Sequence, residues 1–231
     1  MTAERALDGD STLALAAAAH EIKNALGPLA MTLQLAERQL QAGQPVAAGD
    51  LAFARAQVRR LSALVEDLLD QTRADLGELA FRPCACDLRE VVAEAVETFR
   101  RGKPAPIALE LPPARITVSA DVGRLQQVLA NLLENAVRYS PPGSSVTVRL
   151  APSVAATSAR LEVIDRGPGL PPEEQARVFD RFVRGAASEG TGGLGLGLYL
   201  CRAIVEQHGG TIGVDSAPGA GATFWVELRT T

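Results

Sequence analysis

The sequence is poor in cysteine, histidine and aromatic residues, and it contains no long apolar run. Its 231 residues include only 3 Cys, 2 His and 1 Trp. Cys84, Cys86 and Cys201 are too few and odd in number for a disulfide scaffold, so we interpret them as reduced thiols in a cytoplasmic protein. The apolar run Leu13–Ala19 is far shorter than the roughly 20 residues of a membrane span, and no secretory signal opens the chain.

The charge balance is mildly acidic. The 23 Lys and Arg against 27 Asp and Glu give a net charge of −4, and no basic stripe is present, so we expect no direct nucleic-acid partner. With 47% hydrophobic and 22% charged residues, the composition excludes disorder over the whole chain. The length suits one large domain or two small ones.

Residues 11–76 predict a helical hairpin. Apolar residues recur there in alternating steps of three and four, the spacing of a left-handed helical bundle. Asp10–Thr12 offers N-caps for the first helix, and Ala42–Pro45 combines a helix stop with a helix breaker. The two apolar rows are Leu15, Ala19, Ile22, Leu26, Leu29, Leu33, Ala36 and Leu40, then Leu51, Ala54, Val58, Leu61, Val65, Leu68 and Thr72.

A single hairpin leaves much of these rows in water. We therefore expect a homodimer, in which two hairpins form a four-helix bundle. The alternative is a hairpin covered by the C-terminal half of its own chain.

The remainder of the chain predicts an α+β sandwich, with helices on one face of a mixed sheet. We expect the break between the halves near Gly77–Pro83, which gives domains 1–76 and 84–231. The candidate helices are Asp87–Arg101, Asp121–Tyr139 and Leu196–His208. The candidate strands are Ile116–Ser119, Ser145–Leu150, Arg160–Asp165, Gly210–Asp215 and Ala222–Leu228.

One face of the second candidate helix carries Asn131, Asn135, Arg138 and Tyr139. Amide oxygens suit Mg²⁺, which shares its coordination with waters and phosphates, and a guanidinium suits phosphate. Taken alone, this stripe is equally well read as a solvated polar face.

Two glycine-rich segments follow. Asp165, Gly167 and Gly169 come directly after a candidate strand, where a carboxylate can accept the exocyclic amine of a purine, although the pattern alone also fits a turn. Residues 190–198, Gly-Thr-Gly-Gly-Leu-Gly-Leu-Gly-Leu, open the last helix and would present free N–H groups to phosphate. This spacing matches neither a Rossmann nor a P-loop pattern. We expect residues 180–193 to form a mobile lid over a ligand.

His20 lies outside the apolar rows, on one exposed helix face with Asn24. Its imidazole can act as a nucleophile, and Glu21 beside it can accept a proton. An exposed histidine without function is the plainer interpretation of this feature alone. His208 is more simply a residue that closes a helix.

Together, these motifs resemble the catalytic core of two-component sensor histidine kinases. His20–Asn24 is similar to the H box, Asn131–Tyr139 to the N box and Asp165–Gly169 to the first glycine box. Phe179–Phe182 is similar to the F box and Gly193–Leu198 to the second glycine box. The resemblance covers about residues 11–229 and implies a Bergerat (GHKL) ATP-binding fold for residues 84–231.

The resemblance also implies roles for these residues. His20 would accept the phosphoryl group, Glu21 would act as acid or base, and Asn24 would assist transfer and, in some members, phosphatase activity. Asn135, with Asn131, would hold Mg²⁺, and Asp165 would bind the adenine amine. The remaining nucleotide residues would surround the ribose and phosphates: Arg138, Tyr139, Gly167, Gly169, Arg184, Gly193, Gly195, Gly197 and Leu198. The implied partner is a response-regulator receiver domain. Since only ten residues precede the first predicted helix, three alternatives stay open: a separate sensor partner, a coiled-coil extension that carries the signal, or an excised core.

Two alternatives remain open, a kinase-inactive phosphotransfer scaffold and an ATPase of the same fold. Related ATPases carry Glu where this chain has Asn131, and an amide is no base for water. We expect Glu134 to point away from Asn135, so transfer is favoured over hydrolysis. The family's usual Pro is replaced by Ala25, and Pro28 is expected to bend the helix one turn later.

Overall fold

The structure, a computed structural model, describes residues 2–102, 105–153, 157–183 and 194–231, apart from the side chains of residues 2–18, 20 and 21. Within these ranges the helices are α1 (Thr2–Gln41), α2 (Ala48–Asp75), α3 (Leu88–Gly102), α4 (Val122–Tyr139), α5 (Pro172–Gln175) and α6 (Gly197–Gln207). The strands are β1 (Cys84–Asp87), β2 (Ile107–Glu110), β3 (Thr117–Ala120), β4 (Val146–Pro152), β5 (Ser158–Ile164), β6 (Thr211–Ser216) and β7 (Ala222–Arg229).

The predicted hairpin is present as α1 and α2, which pack on each other. Its first helix begins at Thr2, so the expected start near Asp10–Thr12 is wrong. The preceding residues include Ala, Glu, Arg and Leu and no Pro, and this composition favours continuation of the helix. α1 also runs without interruption through Pro28. It ends at Gln41, and just beyond it Gly43 adopts a φ of 69°, which lets the Gln44 N–H donate to the Gln39 carbonyl at 2.8 Å.

Each predicted apolar row is divided between a covered and an open surface. In α1, Ala36 is buried, and Ile22 and Leu29 are half-buried. Alternate members of the rows stay between 46% and 65% exposed in the single chain. We call this set the open stripe; it consists of Leu26, Leu33, Leu40, Leu51, Val58 and Val65.

The C-terminal half is the expected sandwich of helices on a mixed sheet. The strand order is β2-β4-β5-β7-β6, with β2 parallel to β4 and the other pairs antiparallel. Alternate residues of β5 and β7 are buried, so one sheet face packs under α3, α4 and α6. β1 and β3 form a separate two-stranded sheet. The short elements β1, β2 and α5 were not among the predicted elements.

Asp87 fixes the start of α3. Its buried carboxylate accepts hydrogen bonds from the Arg89 and Arg115 side chains and from the Ile116 backbone N–H. These contacts, led by the Arg89 side chain, hold the pKa of Asp87 well below its usual range. The same carboxylate therefore joins the start of α3 to Arg115 and Ile116, the residues directly before β3.

The segment between the two halves is bonded on both sides. At the end of α2, the Gly77 and Glu78 N–H groups donate to the Ala74 and Arg73 carbonyls, which is a Schellman motif with Gly77 at a φ of 69°. One residue later, the Leu79 carbonyl accepts from the Gln207 side chain of α6 at 2.8 Å. The contacts therefore change from α2 to the sandwich between Glu78 and Leu79.

A second pair of contacts continues this attachment. The Arg82 N–H donates to Asp121 Oδ2 at 2.8 Å, and the Phe81 ring meets the His208 ring edge-to-face at 4.7 Å. His208 closes α6, as predicted, and its Nε2 accepts the Asp121 N–H at 3.0 Å. Its Nδ1 lies 2.7 Å from the Ile204 carbonyl, so both ring nitrogens are engaged.

Candidate functional site

A cavity of about 1140 Å³ lies between α4, the loop after β5, the start of α6 and one face of α2. The α4 stripe of Asn131, Asn135, Arg138 and Tyr139 lines it, so the four residues predicted to share a helix face do share one site. They are held there because the opposite side of α4, including Leu132 and Ala136, is fully buried in the sandwich core.

Glu134 also lines this cavity, which corrects the expectation that its side chain points away. It stands three residues after Asn131, and residues three apart share a helix face. Asn131 is half-buried, and its buried Nδ2 atom meets no oxygen or nitrogen acceptor among the described residues, with only the Cys201 thiol beside the amide. Such an orphaned donor suits an oxygen of a ligand.

Asp165 forms the floor of the cavity at the end of β5. The residue is 7% exposed, and its Oδ1 accepts the Gly167 N–H at 2.8 Å and the Ala222 N–H at 3.1 Å. Burial raises the pKa of Asp165, and these two hydrogen bonds act in the opposite direction. Oδ2 receives no hydrogen bond from the part of the chain that is described, so one oxygen is available to a ligand.

The glycines around Asp165 are required by close backbone contacts. Gly169 has a φ of 71°, and a Cβ there would lie 2.0 Å from the Ala217 carbonyl oxygen. Gly221 has a φ of 77°, and its Cβ would lie 2.3 Å from the Asp165 carbonyl oxygen. Sequence reasoning missed Gly221, although the Pro-Gly-Ala-Gly run of residues 218–221 before β7 was a visible turn signal.

The second glycine box opens α6 at the edge of the cavity. Gly195, Gly197 and Leu198 all line it, as expected. Gly195 adopts a φ of 69°, and its carbonyl accepts the Phe182 N–H at 3.1 Å. Arg184 and Gly193 lie outside the described residues, as does most of the expected lid over residues 180–193.

His20, Glu21 and Asn24 all fall within α1. Asn24 is exposed, as expected for a position outside the apolar rows. The side chains of His20 and Glu21 lie outside the described part of the chain. Ala25, at the usual family Pro position, is 1% exposed.

One face of α2 closes the cavity, which the sequence did not predict. Its residues recur at helical spacing over three turns: Ala56, Arg59, Arg60, Ala63, Leu64 and Asp67. Leu64 forms a small apolar cluster with Leu194 and Leu196, and Leu68 and Phe182 pack against it. The hairpin therefore packs on both segments that flank residues 183–193.

Polar contacts extend this packing along α2. Asp75 Oδ1 accepts the Tyr199 hydroxyl at 2.7 Å and the Arg181 guanidinium, which also lies over the Tyr199 ring. Asp70, one turn earlier, binds Arg124 at 2.5 Å and the Gln127 side chain at 3.0 Å. These contacts join α2 to α6, to the F-box turn and to the first turns of α4.

Two acids of α2 have opposite electrostatic environments. Burial opposes ionisation of Asp70, but hydrogen bonds from Arg124 and Gln127 outweigh it and lower the pKa. Burial and the negative charges of Asp70, Glu134 and Glu66 raise the pKa of Asp67 to about 6. Asp67 faces the cavity and receives no hydrogen bond from any described residue.

Two families match the chain, one for each half. Residues 11–77 match the His Kinase A (phospho-acceptor) domain, and residues 120–231 match the histidine kinase-, DNA gyrase B- and HSP90-like ATPases. The chain belongs to the histidine kinases. The histidine kinase thus combines a phosphoacceptor hairpin with an ATPase-like sandwich, and the cavity described above lies in the sandwich and against the hairpin.

Individual relatives agree with this assignment. The histidine kinase is 36% identical to the sensor protein KdpD of Escherichia coli over 93% of its own length and 24% of KdpD. It is 36% identical to the histidine-protein kinase/phosphatase MprB of Mycolicibacterium vanbaalenii over 87% of its length and 42% of MprB. The chain therefore spans less than half the length of these curated relatives.

Solved structures show the same fold. The histidine kinase AdeS of Acinetobacter baumannii superposes with a TM-score of 0.69 at 27% identity, over 92% of this chain and 98% of that one. No helix within the described ranges is long and apolar enough to cross a membrane.

Proposed function

We propose that this chain binds Mg-ATP, transfers the γ-phosphoryl group to His20 and then passes it to an aspartate of a response-regulator receiver domain. The observation that carries the proposal is a single cavity that unites the polar stripe of α4, the Asp165 carboxylate and the glycine turn before α6. The division into a phosphotransfer domain 1–76 and an ATP-binding domain 84–231 is part of the same proposal.

The adenine end of the nucleotide would bind at Asp165. Its Oδ1 is used by two backbone N–H groups, which fix the carboxylate and leave Oδ2 to accept an exocyclic amine. Gly167 and Gly169 carry no side chains, so they leave space for the purine beside the Asp165 carboxylate. A purine bearing an amine donor would therefore be preferred over one bearing a carbonyl acceptor.

The phosphate end would bind between α4 and the start of α6. Backbone N–H groups at Gly195, Gly197 and Leu198 lie at a helix N-terminus, which attracts anions. Asn131 and Asn135 supply carboxamide groups and Arg138 a guanidinium, a donor set that fits Mg²⁺ and phosphate oxygens. When bound, Mg²⁺ would neutralise charge on the phosphate oxygens during transfer.

His20 would act as the nucleophile. One ring nitrogen forms the N–P bond while the bond from the γ-phosphorus to the bridging oxygen breaks, and ADP leaves with the electron pair. Glu21 would accept the proton from the other ring nitrogen. Asn24, exposed one helical turn later, would then orient the receiver's reacting groups, or a water during dephosphorylation.

Association through the open stripe is the second part of the proposal. Six large apolar side chains of the two helices remain about half exposed at heptad spacing. A second copy would cover them in a four-helix bundle, which is the ordinary solution for such a surface. The alternative, coverage by the chain's own C-terminal half, accounts for Leu64 and Leu68 but not for the open stripe.

The decisive experiment measures incorporation of γ-labelled phosphate from Mg-ATP into the wild type and into His20→Gln. We expect acid-labile, base-stable label that is absent from the variant. His208→Gln is the matched control, because both nitrogens of that ring are already bonded. Nucleotide binding without label would favour the scaffold. Phosphate release by His20→Gln at the wild-type rate would favour the ATPase, and Glu134, which lines the cavity, would be tested as its base.

A further inference from the structure

Asp67 and Asp70 lie one turn apart on α2, and both face the sandwich. Asp70 is paired: Arg124 and Gln127 donate three hydrogen bonds to its two oxygens. Asp67 is also partly removed from water, but no hydrogen bond or ion pair with a described residue satisfies it. An ionised carboxylate that is partly buried without a partner raises the free energy of the folded protein unless a cation approaches it.

The surroundings of Asp67 make the cost larger. The charges that act on it most strongly are those of Asp70, Glu134 and Glu66, all negative. Asp67 nevertheless lines the same cavity as Asn131 and Asn135, the carboxamides that fit a metal-bound nucleotide. A bare triphosphate entering this cavity would add further negative charge beside Asp67, whereas a divalent cation carried by that triphosphate would offset it.

We infer that Asp67 is a further residue of the nucleotide site, and that its carboxylate favours Mg-ATP over metal-free ATP through the Mg²⁺ ion. This inference rests on the proposed nucleotide site. It assigns a binding role to the hairpin itself, since α2 and not the sandwich would supply this group. The hairpin would thereby discriminate the metal complex of the nucleotide from the free nucleotide.

The test is the affinity of a non-hydrolysable ATP analogue, titrated by calorimetry in excess Mg²⁺ and again in EDTA. For Asp67→Asn we expect binding about fivefold weaker with Mg²⁺ and about fivefold tighter in EDTA, since a unit charge in the wall of the cavity that holds either ligand has effects of this order. The ratio of the two affinities would therefore fall by about 25-fold. Asp67→Glu, which keeps the charge, should restore most of the ratio.

Glu66→Gln is the matched control, because Glu66 lines only the smaller neighbouring cleft. For Glu66→Gln, the ratio of the affinity measured with Mg²⁺ to that measured in EDTA should stay within about twofold of the wild-type ratio. An unchanged ratio in Asp67→Asn, or equal losses in both conditions, would overturn the inference, because a purely structural role acts on both alike. Failure of the wild type to bind nucleotide in either condition would instead count against the proposed function.

Discussion

Replacing Asp67 with Asn is expected to stabilise the nucleotide-free protein. The pKa of Asp67 rises from 3.8 to about 6, which corresponds to an upper limit of about 3 kcal/mol against the ionised form. Because the side chain is only half-buried, solvent screening reduces this to about 1–2 kcal/mol. For a chain of 231 residues this change amounts to a rise in Tm of about 2–8 °C.

The sign of the effect follows from the direction of the shift. A carboxyl whose pKa is raised by folding destabilises the ionised folded state, fully so above about pH 7, and this penalty disappears as the pH falls from about 6 toward 3.8. Thermal unfolding of wild type and Asp67→Asn should therefore differ most at pH 8 and converge near pH 4. Nucleotide is omitted, since bound Mg-ATP would reverse the preference.

Asp70→Asn, a substitution on the same helix, is expected to change the thermal stability in the opposite direction. The pKa of Asp70 is lowered, so its ion pair with Arg124 stabilises the protein above the usual carboxyl range and fades only at strongly acidic pH. Its loss should lower Tm at both pH 8 and pH 5. If Asp67→Asn also lowers Tm at pH 8, or raises it equally at every pH, the electrostatic reasoning is wrong.

Asp165, Asp87 and the open stripe each allow a test that is independent of Asp67. Asp165→Asn should weaken ATP binding by more than about tenfold, and because burial raises the pKa of Asp165, wild-type affinity measured by calorimetry should fall with decreasing pH before an ordinary carboxyl would titrate. Asp87→Ala should lower the free energy of unfolding in urea by about 1–2 kcal/mol, since it removes the acceptor of the buried Ile116 N–H and of the Arg89 side chain. Leu33→Asp should convert a dimer to a monomer in light scattering, whereas Met31→Asp, which is 75% exposed outside the open stripe, should not.

The sequence predicted the hairpin and most of the sandwich because their signals are local. Heptad spacing located α1 and α2, and period-two alternation located β4, β5 and β7. β1 and β2 have four residues each and carry little alternation, so they exist because β3 and β4 pair with them. The early start of α1 was missed because a possible cap at Ser11 outweighed the helix propensity before it.

The site was partly predictable for the same reason. Asn131 and Asn135 share a helix face by spacing alone, and Asp165 ends a strand that could be recognised. The contribution of α2 was not predictable, because Asp67 and Leu64 reach the cavity only through the packing of the two halves. Within a heptad pattern, their positions resemble ordinary hairpin surface.

The residues that connect the hairpin to the sandwich are held by hydrogen bonds on both sides of the junction. Residues up to Glu78 are bonded to the end of α2, and residues from Leu79 onward are bonded to α6 and α4. The two halves are therefore not joined by a flexible linker, because the change of bonding partners falls at the single peptide between Glu78 and Leu79. A change in the position of the sandwich would require unwinding of the last turn of α2 or release of the Leu79 and Arg82 hydrogen bonds, together with loss of the Asp70–Arg124 and Asp75–Tyr199 contacts.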